Sequence, residues 1–301
     1  MSRIQDILKK AERDGSVHRT RALTPEGPSI AQASAMAPAM AMPPSAWAPA
    51  APDVRTASPA VTAASAVTAA PVRRIAAQLD ARLVAALAPQ SLAAEQYRSL
   101  RTRLTRAESG RALRAIIVTS PAKGDGKSLT AGNLALTMAQ EFQQRVLLLD
   151  ADLRRPSIHR LFGVPESPGL SDVLMGGATI EDTLLEIPDH HLTVMPCGII
   201  PTHPAELLGS AAMRRVLDTL RTRFDRIILD MPPVAPLADV TIASGLVDGL
   251  LLIVRAGVTP KPAIERALAG LDMSKVLGLV LNDGGDSASA YGYGTDGYVA
   301  G

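Results

Sequence analysis

Residues 118–128 have the sequence Val-Thr-Ser-Pro-Ala-Lys-Gly-Asp-Gly-Lys-Ser, directly after the apolar run Ala115-Ile116-Ile117. The apolar run is typical of a buried strand, and residues 129–142 have the periodicity of a helix. A buried strand, a glycine-rich turn that ends in Gly-Lys-Ser and a following helix are the parts of a phosphate-binding loop. The backbone N–H groups of such a turn and the positive end of the helix dipole bind phosphate oxygens. The stretch therefore predicts phosphate binding between a strand and a helix.

Two side chains at the end of this loop have separate expected roles. Lys127 is expected to reach the β- and γ-phosphates, and the Ser128 hydroxyl to ligate Mg²⁺. The strict motif has glycine five residues before Gly126, where this chain has Pro121. Because Gly-Lys-Ser also occurs in ordinary turns, the assignment depends on acidic residues further along the chain.

Two aspartates follow the next apolar run. Residues 146–149 are Val-Leu-Leu-Leu, and Asp150 and Asp152 come next, where the phosphates are expected. Buried carboxylates are costly without partners, so a Mg²⁺ ion, Arg154 or Arg155 is expected to compensate them. The simpler alternative is that Asp150 caps the next turn and the rest of the loop is solvated.

A third apolar run, Ile227-Ile228-Leu229, is followed by Asp230 and then by Met-Pro-Pro. An aspartate in this place is the usual second acidic motif of nucleotide-hydrolysing sheets, where it holds Mg²⁺ directly or through water. The two prolines stiffen the turn that leaves the site. This motif is therefore more specific than an aspartate alone.

Strands and helices alternate through the second half of the chain. The predicted strands are 115–119, 146–150, 192–195, 226–229, 250–254 and 276–281. The predicted helices are 128–142, 206–223, 237–246 and 263–271. Continuous apolar strands are typical of a parallel sheet that is covered on both faces. The sequence predicts an α/β fold of the P-loop NTPase type, with a doubly wound, mainly parallel sheet.

The chain is divided into four parts by composition. Residues 1–15 predict a short amphipathic helix, and residues 16–75 are rich in alanine and proline, which is typical of a disordered linker. Residues 76–283 form the predicted P-loop domain. Residues 284–301 are rich in glycine and hold three of the four tyrosines, which predicts a flexible tail.

Composition also excludes several classes of protein. The net charge of +2 indicates neither a nucleic-acid partner nor an anionic membrane. A single cysteine excludes an internal disulfide framework and suits a reducing compartment. The first ten residues lack the apolar core of a signal peptide, and the uncharged stretch 27–52 contains six prolines, which argues against a transmembrane helix. We expect a soluble, cytoplasmic protein.

Together these motifs resemble the bacterial tyrosine kinases (BY-kinases), which regulate capsule and exopolysaccharide export. The loop at 120–128, the Leu-Leu-Leu-Asp-x-Asp-x-Arg run at 147–154 and Asp230-x-Pro-Pro resemble the three nucleotide motifs of the family in order and spacing. The start of the chain, residues 1–12, resembles free-standing autokinases encoded with polysaccharide export machinery. The resemblance implies an ATP- and Mg²⁺-dependent protein-tyrosine autokinase.

The resemblance also implies a role for each motif residue. The catalytic residues would be Lys127, Asp150 and Asp152, with Asp150 as the base that takes the tyrosine proton. Mg²⁺ would be held by Ser128, Asp152 and Asp230. The ATP-binding residues would be Lys123, Gly124, Asp125, Gly126, Lys127, Ser128, Leu129, Arg154 and Asn282.

Two features outside the nucleotide motifs resemble the family as well. Glu95, Arg98 and Arg101 are spaced three residues apart along one side of a helix, like the family motif that packs subunits into a ring; a solvated helix face is the simpler alternative. The tail tyrosines resemble the family's autophosphorylation targets. They are Tyr291, Tyr293 and Tyr298. The nine residue steps from Asn282 to Tyr291 reach at most ~30 Å, which favours transfer to a neighbouring subunit of the ring.

The partners implied by the resemblance are proteins rather than nucleic acid. They are other copies of the chain, a membrane-embedded polysaccharide chain-length or co-polymerase protein that activates the kinase, and a cognate tyrosine phosphatase. Such an activator would recruit the cytoplasmic kinase to the inner face of the cell membrane.

Two other functions are compatible with a phosphate-binding loop. A partition- or division-site ATPase of the same branch would carry a lysine at the position of Ala122, and it would leave the tyrosines unexplained. A nucleotide-sensing scaffold that docks through residues 1–15 would not need the complete set of Lys127, Asp150, Asp152 and Asp230. Measured ATP turnover separates the scaffold from the kinase.

Overall fold

Eight strands form one sheet in the part of the chain that the computed structural model describes, residues 73–108, 112–141 and 144–284. Across the sheet the order is β1-β4-β5-β3-β6-β2-β7-β8, and every adjacent pair is parallel except β4–β5. The strands are β1 (Arg73–Arg74), β2 (Ala115–Thr119), β3 (Val146–Asp150), β4 (Leu185–Ile187), β5 (Leu192–Met195), β6 (Arg226–Asp230), β7 (Gly249–Arg255) and β8 (Val276–Asn282). The predicted fold class, a mainly parallel α/β sheet of the P-loop NTPase type, is confirmed.

Helices connect the strands of this described part. They are α1 (Val84–Leu87), α2 (Leu92–Ala107), α3 (Lys127–Ala139), α4 (Ile158–Phe162), α5 (Leu170–Leu174), α6 (Ile180–Thr183), α7 (Pro204–Leu208), α8 (Ala211–Arg223), α9 (Asp239–Ser244) and α10 (Lys261–Ala269). No helix among these residues combines the length and the apolar character that a membrane crossing requires. The predicted N-terminal helix, most of the predicted linker and all but the first residue of the predicted tail lie outside the described residues.

One predicted helix is wrong as a single element. Residues 206–223 belong to two helices, α7 and α8, which are separated at Gly209-Ser210. The Ser210 hydroxyl accepts the N–H of Met213 at 3.1 Å, so it caps a new helix rather than continuing the old one. The short elements β1, β4 and α4–α6 were not predicted, because segments of two to five residues carry no measurable periodicity.

The sheet separates two buried clusters. Ile117 and Leu149 point to one face, where α8 packs, while Ile116 and Val118 point to the other, where α3 packs. Successive side chains of a strand alternate between faces, so the continuous apolar runs supply both clusters at once. This arrangement explains why β2, β3, β6 and β7 are apolar at all their inner positions.

Helix α3 is enclosed along most of its length. All residues from Thr130 to Ala139 are buried. A side chain at Gly132 would lie 3.0 Å from the Leu83 methyl and 3.2 Å from the ring of Phe162. The Asn133 side chain accepts the N–H of Ala85 at 2.9 Å and ties the helix to α1. The helix that carries the end of the phosphate loop is therefore fixed on several sides.

Candidate nucleotide-binding site

The loop between β2 and α3 contains two glycines in the left-handed region of backbone conformation. Gly124 has φ +88° and Gly126 has φ +95°, values that other residues rarely adopt. A Cβ atom at Gly126 would also lie 2.0 Å from the Asn282 amide nitrogen. Only glycine fits there without displacing Asn282, so the Gly-x-Gly pattern has a structural reason.

The Asp125 side chain is directed into the protein. It is only 2% exposed. Its Oδ2 accepts the N–H of Ala122 at 2.8 Å, and its Oδ1 accepts the hydroxyl of Thr259 at 2.7 Å. The Asn282 amide donates to the Asp125 carbonyl at 2.9 Å. Asp125 and Asn282 were predicted as ATP contacts. In the structure the Asp125 carboxylate bonds to Ala122 and Thr259, and the Asn282 side-chain amide bonds to the Asp125 carbonyl. Thr259 was missed, since no motif marks it.

Lys127 lies among the predicted metal ligands. Its Nζ is 2.8 Å from Asp152 Oδ2, 3.3 Å from Asp230 Oδ1 and 3.1 Å from Ser128 Oγ. Burial acts to lower the pKa of Lys127, but the carboxylates of Asp230 and Asp152 outweigh burial and the pKa is raised. The structure thus brings four of the predicted site residues together at the carboxyl ends of β3 and β6: Lys127, Ser128, Asp152 and Asp230.

Asp150 and Asp230 lie side by side as paired residues of the adjacent parallel strands β3 and β6, and both are fully buried. Burial raises the pKa of Asp150 to about 7, and the nearby Asp230 carboxylate adds to the effect. Burial also raises the pKa of Asp230. The Asp150 Oδ2 accepts the N–H groups of Ser157 and Ile158, each at 3.0 Å, at the start of α4. Asp150 therefore has the turn-capping contacts that the simpler alternative predicts, beside a charge environment suited to accepting a proton.

The donors present fit a hard cation such as Mg²⁺. Asp230 Oδ2 is buried and has no hydrogen-bond partner, so one carboxylate oxygen is available. Among the described residues no three His, Cys, Asp or Glu side chains form a metal-binding cluster. The set of the Ser128 hydroxyl with one or two carboxylates suits Mg²⁺, which takes its remaining ligands from phosphates and water.

Arg154 does not have the free side chain expected of a phosphate ligand. Its Nε is 2.7 Å from Asp239 Oδ2, and its Nη2 is 3.0 Å from Asp239 Oδ1, a bidentate pair that raises the pKa of Arg154. Asp239 is fully buried and starts α9. The pair joins the loop after β3 to the segment after β6. Sequence reasoning missed Asp239, because 85 residues separate the partners.

Replacing Arg154 by alanine is expected to lower the free energy of unfolding by about 3 kcal/mol, because it leaves the buried Asp239 carboxylate without its partner. Urea unfolding of the wild type and the variant measures this. Arg145→Ala is the matched control, since Arg145 pairs with Asp225 on the surface, where such pairs contribute under about 1 kcal/mol. Equal losses in the two variants would contradict a structural role for the Arg154–Asp239 pair.

The predicted oligomerisation residues all lie on α2. Arg98 pairs with the exposed Glu95 at 2.7 Å. Arg101 donates to the Thr137 carbonyl at 2.8 Å and lies 3.3 Å from Glu141, so it also joins α2 to the end of α3. The predicted phosphoacceptors Tyr291, Tyr293 and Tyr298 lie outside the described residues.

The chain is similar to one family model and to several named proteins. A family model described as ParA, NUBPL iron-transfer P-loop NTPase, matches residues 112–282. Tyrosine-protein kinase YwqD of Bacillus subtilis is 36% identical over 72% of this chain and 92% of its own length. Tyrosine-protein kinase CpsD of Streptococcus agalactiae is 33% identical over 67% of this chain and 89% of its own length.

Solved structures of tyrosine-kinase domains and related proteins are also similar to this chain, in both sequence and fold. The chimerical protein CapA2B2 is 31% identical, with a TM-score of 0.64, over 70% of this chain and 93% of that one. The kinase domain of the Escherichia coli tyrosine kinase ETK is 30% identical, with a TM-score of 0.64, over 66% of this chain and 79% of that one. The ParA model defines the wider P-loop branch, and the relatives identify the group within it. The chain belongs to the bacterial tyrosine kinases, as its three nucleotide motifs predicted.

Proposed function

We propose that this chain is an ATP- and Mg²⁺-dependent protein-tyrosine autokinase whose targets are Tyr291, Tyr293 and Tyr298. The observation that carries the proposal is the position of Lys127, 2.8 Å from Asp152 and 3.3 Å from Asp230 at the end of the phosphate loop. Phosphoryl transfer needs positioning and charge neutralisation more than covalent help, and this cluster supplies both.

In the proposed reaction the backbone of residues 123–129 and the Lys127 ammonium bind the ATP phosphates. The tyrosine oxygen attacks the γ-phosphorus, the bond from that phosphorus to the β–γ bridging oxygen breaks, and ADP leaves. Asp150 takes the proton of the tyrosine hydroxyl. Mg²⁺, held by Ser128, Asp152 and Asp230, would neutralise phosphate charge. Because burial raises the pKa of Asp150 to about 7, it is a stronger proton acceptor than an ordinary aspartate.

We further propose that transfer occurs between subunits of a ring that α2 helps to form. Support comes from the shortness of the tail, which reaches at most ~30 Å from Asn282 to Tyr291. The exposed Glu95 side chain is available to a neighbouring subunit.

By resemblance to the family, we propose that the kinase regulates the synthesis and export of exopolysaccharide or capsule. It would act in the cytoplasm, at the inner face of the membrane. A co-polymerase protein would activate it and a phosphatase would reverse the modification.

A second candidate is an ATPase switch, favoured by the match of residues 112–282 to the ParA model. A switch of this kind would hydrolyse ATP and leave the tail unchanged. The two functions therefore differ in a covalent product on the tail, which a mass measurement detects.

The full-length chain is expected to gain mass in steps of one phosphate on incubation with ATP and Mg²⁺. A chain truncated after Gly285, and a full-length chain with all three tail tyrosines changed to phenylalanine, should gain none. The phenylalanine variant is the matched control, because it keeps the length and the aromatic rings of the tail. ATP hydrolysis with no mass gain in the wild type, even with a candidate activator segment added, would favour the ATPase switch.

Mixing two variants in the same measurement tests transfer between subunits. A Lys127→Met chain supplies an intact tail, and a truncated chain supplies an intact site. Label on the longer chain is expected, whereas label absent from it would contradict transfer in trans. The two chains differ in length, so intact mass assigns each phosphate to its carrier.

A further inference from the structure

The phosphate loop is bonded to two residues from elsewhere in the chain, Thr259 and Asn282. Thr259, four residues after the end of β7, donates its hydroxyl to Asp125 Oδ1 at 2.7 Å, and the same hydroxyl accepts the N–H of Arg255 at 2.9 Å. Asn282, the last residue of β8, donates to the Asp125 carbonyl at 2.9 Å. Asp125 is thus bonded through both its side chain and its backbone.

Inside the loop the Asp125 carboxylate bonds to the backbone of a residue three positions earlier. Its second oxygen accepts the N–H of Ala122 at 2.8 Å, which closes a tight turn across residues 122–125. This turn lies directly before Gly126 and Lys127, whose backbone is expected to face the phosphates. With Gly124 at φ +88° and Gly126 at φ +95°, glycine permits this conformation without enforcing it. The Asp125 carboxylate, bonded to Ala122 and Thr259, supplies side-chain contacts that hold the turn.

We propose that Thr259 is a positioning residue for nucleotide binding: its hydroxyl orients the Asp125 carboxylate, which holds the phosphate loop in its binding conformation. The proposal rests on the proposed function, because it assumes that ATP binds at this loop. Thr259 acts through Asp125 and does not itself contact the phosphates. A loop that must be ordered during binding has lower affinity for its ligand than a pre-ordered one. The effect should therefore fall on the affinity for ATP rather than on the rate of the bound complex.

A purely local role for Thr259 makes a different prediction. Thr259 also stabilises the turn before α10, because its hydroxyl accepts the Arg255 N–H. If that contact were its only role, its substitution would lower stability without a specific effect on the affinity for ATP. A double-mutant cycle with Asp125 separates the two roles, since residues that act through one another do not have additive effects.

The test uses the full-length chain and two measurements: titration with ATP and Mg²⁺ by calorimetry, and the tail phosphorylation rate at saturating ATP by intact mass. Thr259→Val should raise the Kd for ATP about tenfold and change the saturated rate less than twofold. Thr259→Ser, which restores the hydroxyl, should have a Kd within twofold of the wild type. Added to Asp125→Ala, Thr259→Val should raise the Kd no further.

Thr183→Val is the matched control, because it removes the bond from the buried Thr183 hydroxyl to the Ile180 carbonyl beside β4, near the opposite edge of the sheet. It should keep the wild-type Kd. If Thr259→Val does not fold, Thr259→Ala is judged by the same expectations. An unchanged Kd in the Thr259 variant, or effects that add in full to those of Asp125→Ala, would overturn the proposal. Absence of tail phosphorylation in a wild type that binds ATP would overturn the proposed function alone, because the Kd comparison needs no kinase activity.

Discussion

Replacing Lys127 by methionine is expected to lower the rate of tail phosphorylation at least ~100-fold, equal to a loss of about 2.7 kcal/mol of transition-state stabilisation. Methionine keeps an unbranched apolar side chain, one atom shorter than that of lysine, but removes the charge. The ammonium lies 2.8 Å from Asp152 and 3.3 Å from Asp230. Its removal therefore deprives the phosphates of a cation and leaves the nearby carboxylates less well compensated. Intact mass as a function of time measures the rate.

The control for this variant is Lys275→Met. Lys275 is also a partly buried lysine, and its ammonium donates to the carbonyls of Ser244 and Val247 at 2.6 and 3.2 Å, beside the start of β7 rather than at the phosphate loop. It should keep the wild-type rate. A Lys127→Met chain that phosphorylates its tail nearly as fast as the wild type would remove Lys127 from the proposed site.

Replacing Asp150 by asparagine is expected to lower the saturated rate about 10²- to 10⁴-fold, the usual contribution of a general base. Asparagine is close in shape to aspartate and keeps one side-chain oxygen that can accept the N–H groups of Ser157 and Ile158. It cannot take up the tyrosine proton. Single-turnover measurements at saturating ATP give the rate, and calorimetric titration shows whether the affinity for ATP is kept.

The structural contacts of Asp150 require their own control. Asp248→Asn changes another aspartate that accepts a backbone N–H, in this case that of Ala115 at 2.7 Å, at the amino end of β7. Both variants are compared by urea unfolding, and Asp248→Asn should keep the wild-type rate. If Asp150→Asn keeps more than a tenth of the wild-type rate, its role is to cap α4, and Asp152 becomes the candidate for the base.

The strands of the nucleotide site could be predicted to within one residue. The structure has β2 and β3 at the predicted bounds, and β6 ends at Asp230, one residue past the predicted bounds of 226–229, because each contains an uninterrupted apolar run with a polar residue on both sides. The short antiparallel strand β4 was missed. Its three residues, Leu-Glu-Ile, owe their conformation to pairing with β5 rather than to any local pattern.

Supporting side chains of the site could not be predicted in the same way. The motif residues Lys127, Asp152 and Asp230 converge because parallel strands end at one edge of the sheet, which the sequence implies. Asp239 and Thr259 lie outside any motif, and only the folded chain brings them to Arg154 and Asp125. Motifs thus identify the groups expected to contact the phosphates. The residues that hold those groups in place can be identified only from the tertiary structure.

Helix α3 differs from the other long helices in how much sequence change it can accept. Helix α8 buries a single stripe of side chains, which includes Met213, Leu217 and Leu220. Its remaining positions are exposed or half-buried and can therefore tolerate substitution. By contrast, α3 has no solvent face from Thr130 to Ala139, and at Gly132 even a methyl group would crowd Leu83 and Phe162. Over evolutionary time this helix can change only together with its neighbours. Variation between related chains should therefore be concentrated on elements that have a solvent face, while the helix behind the phosphate loop changes most slowly.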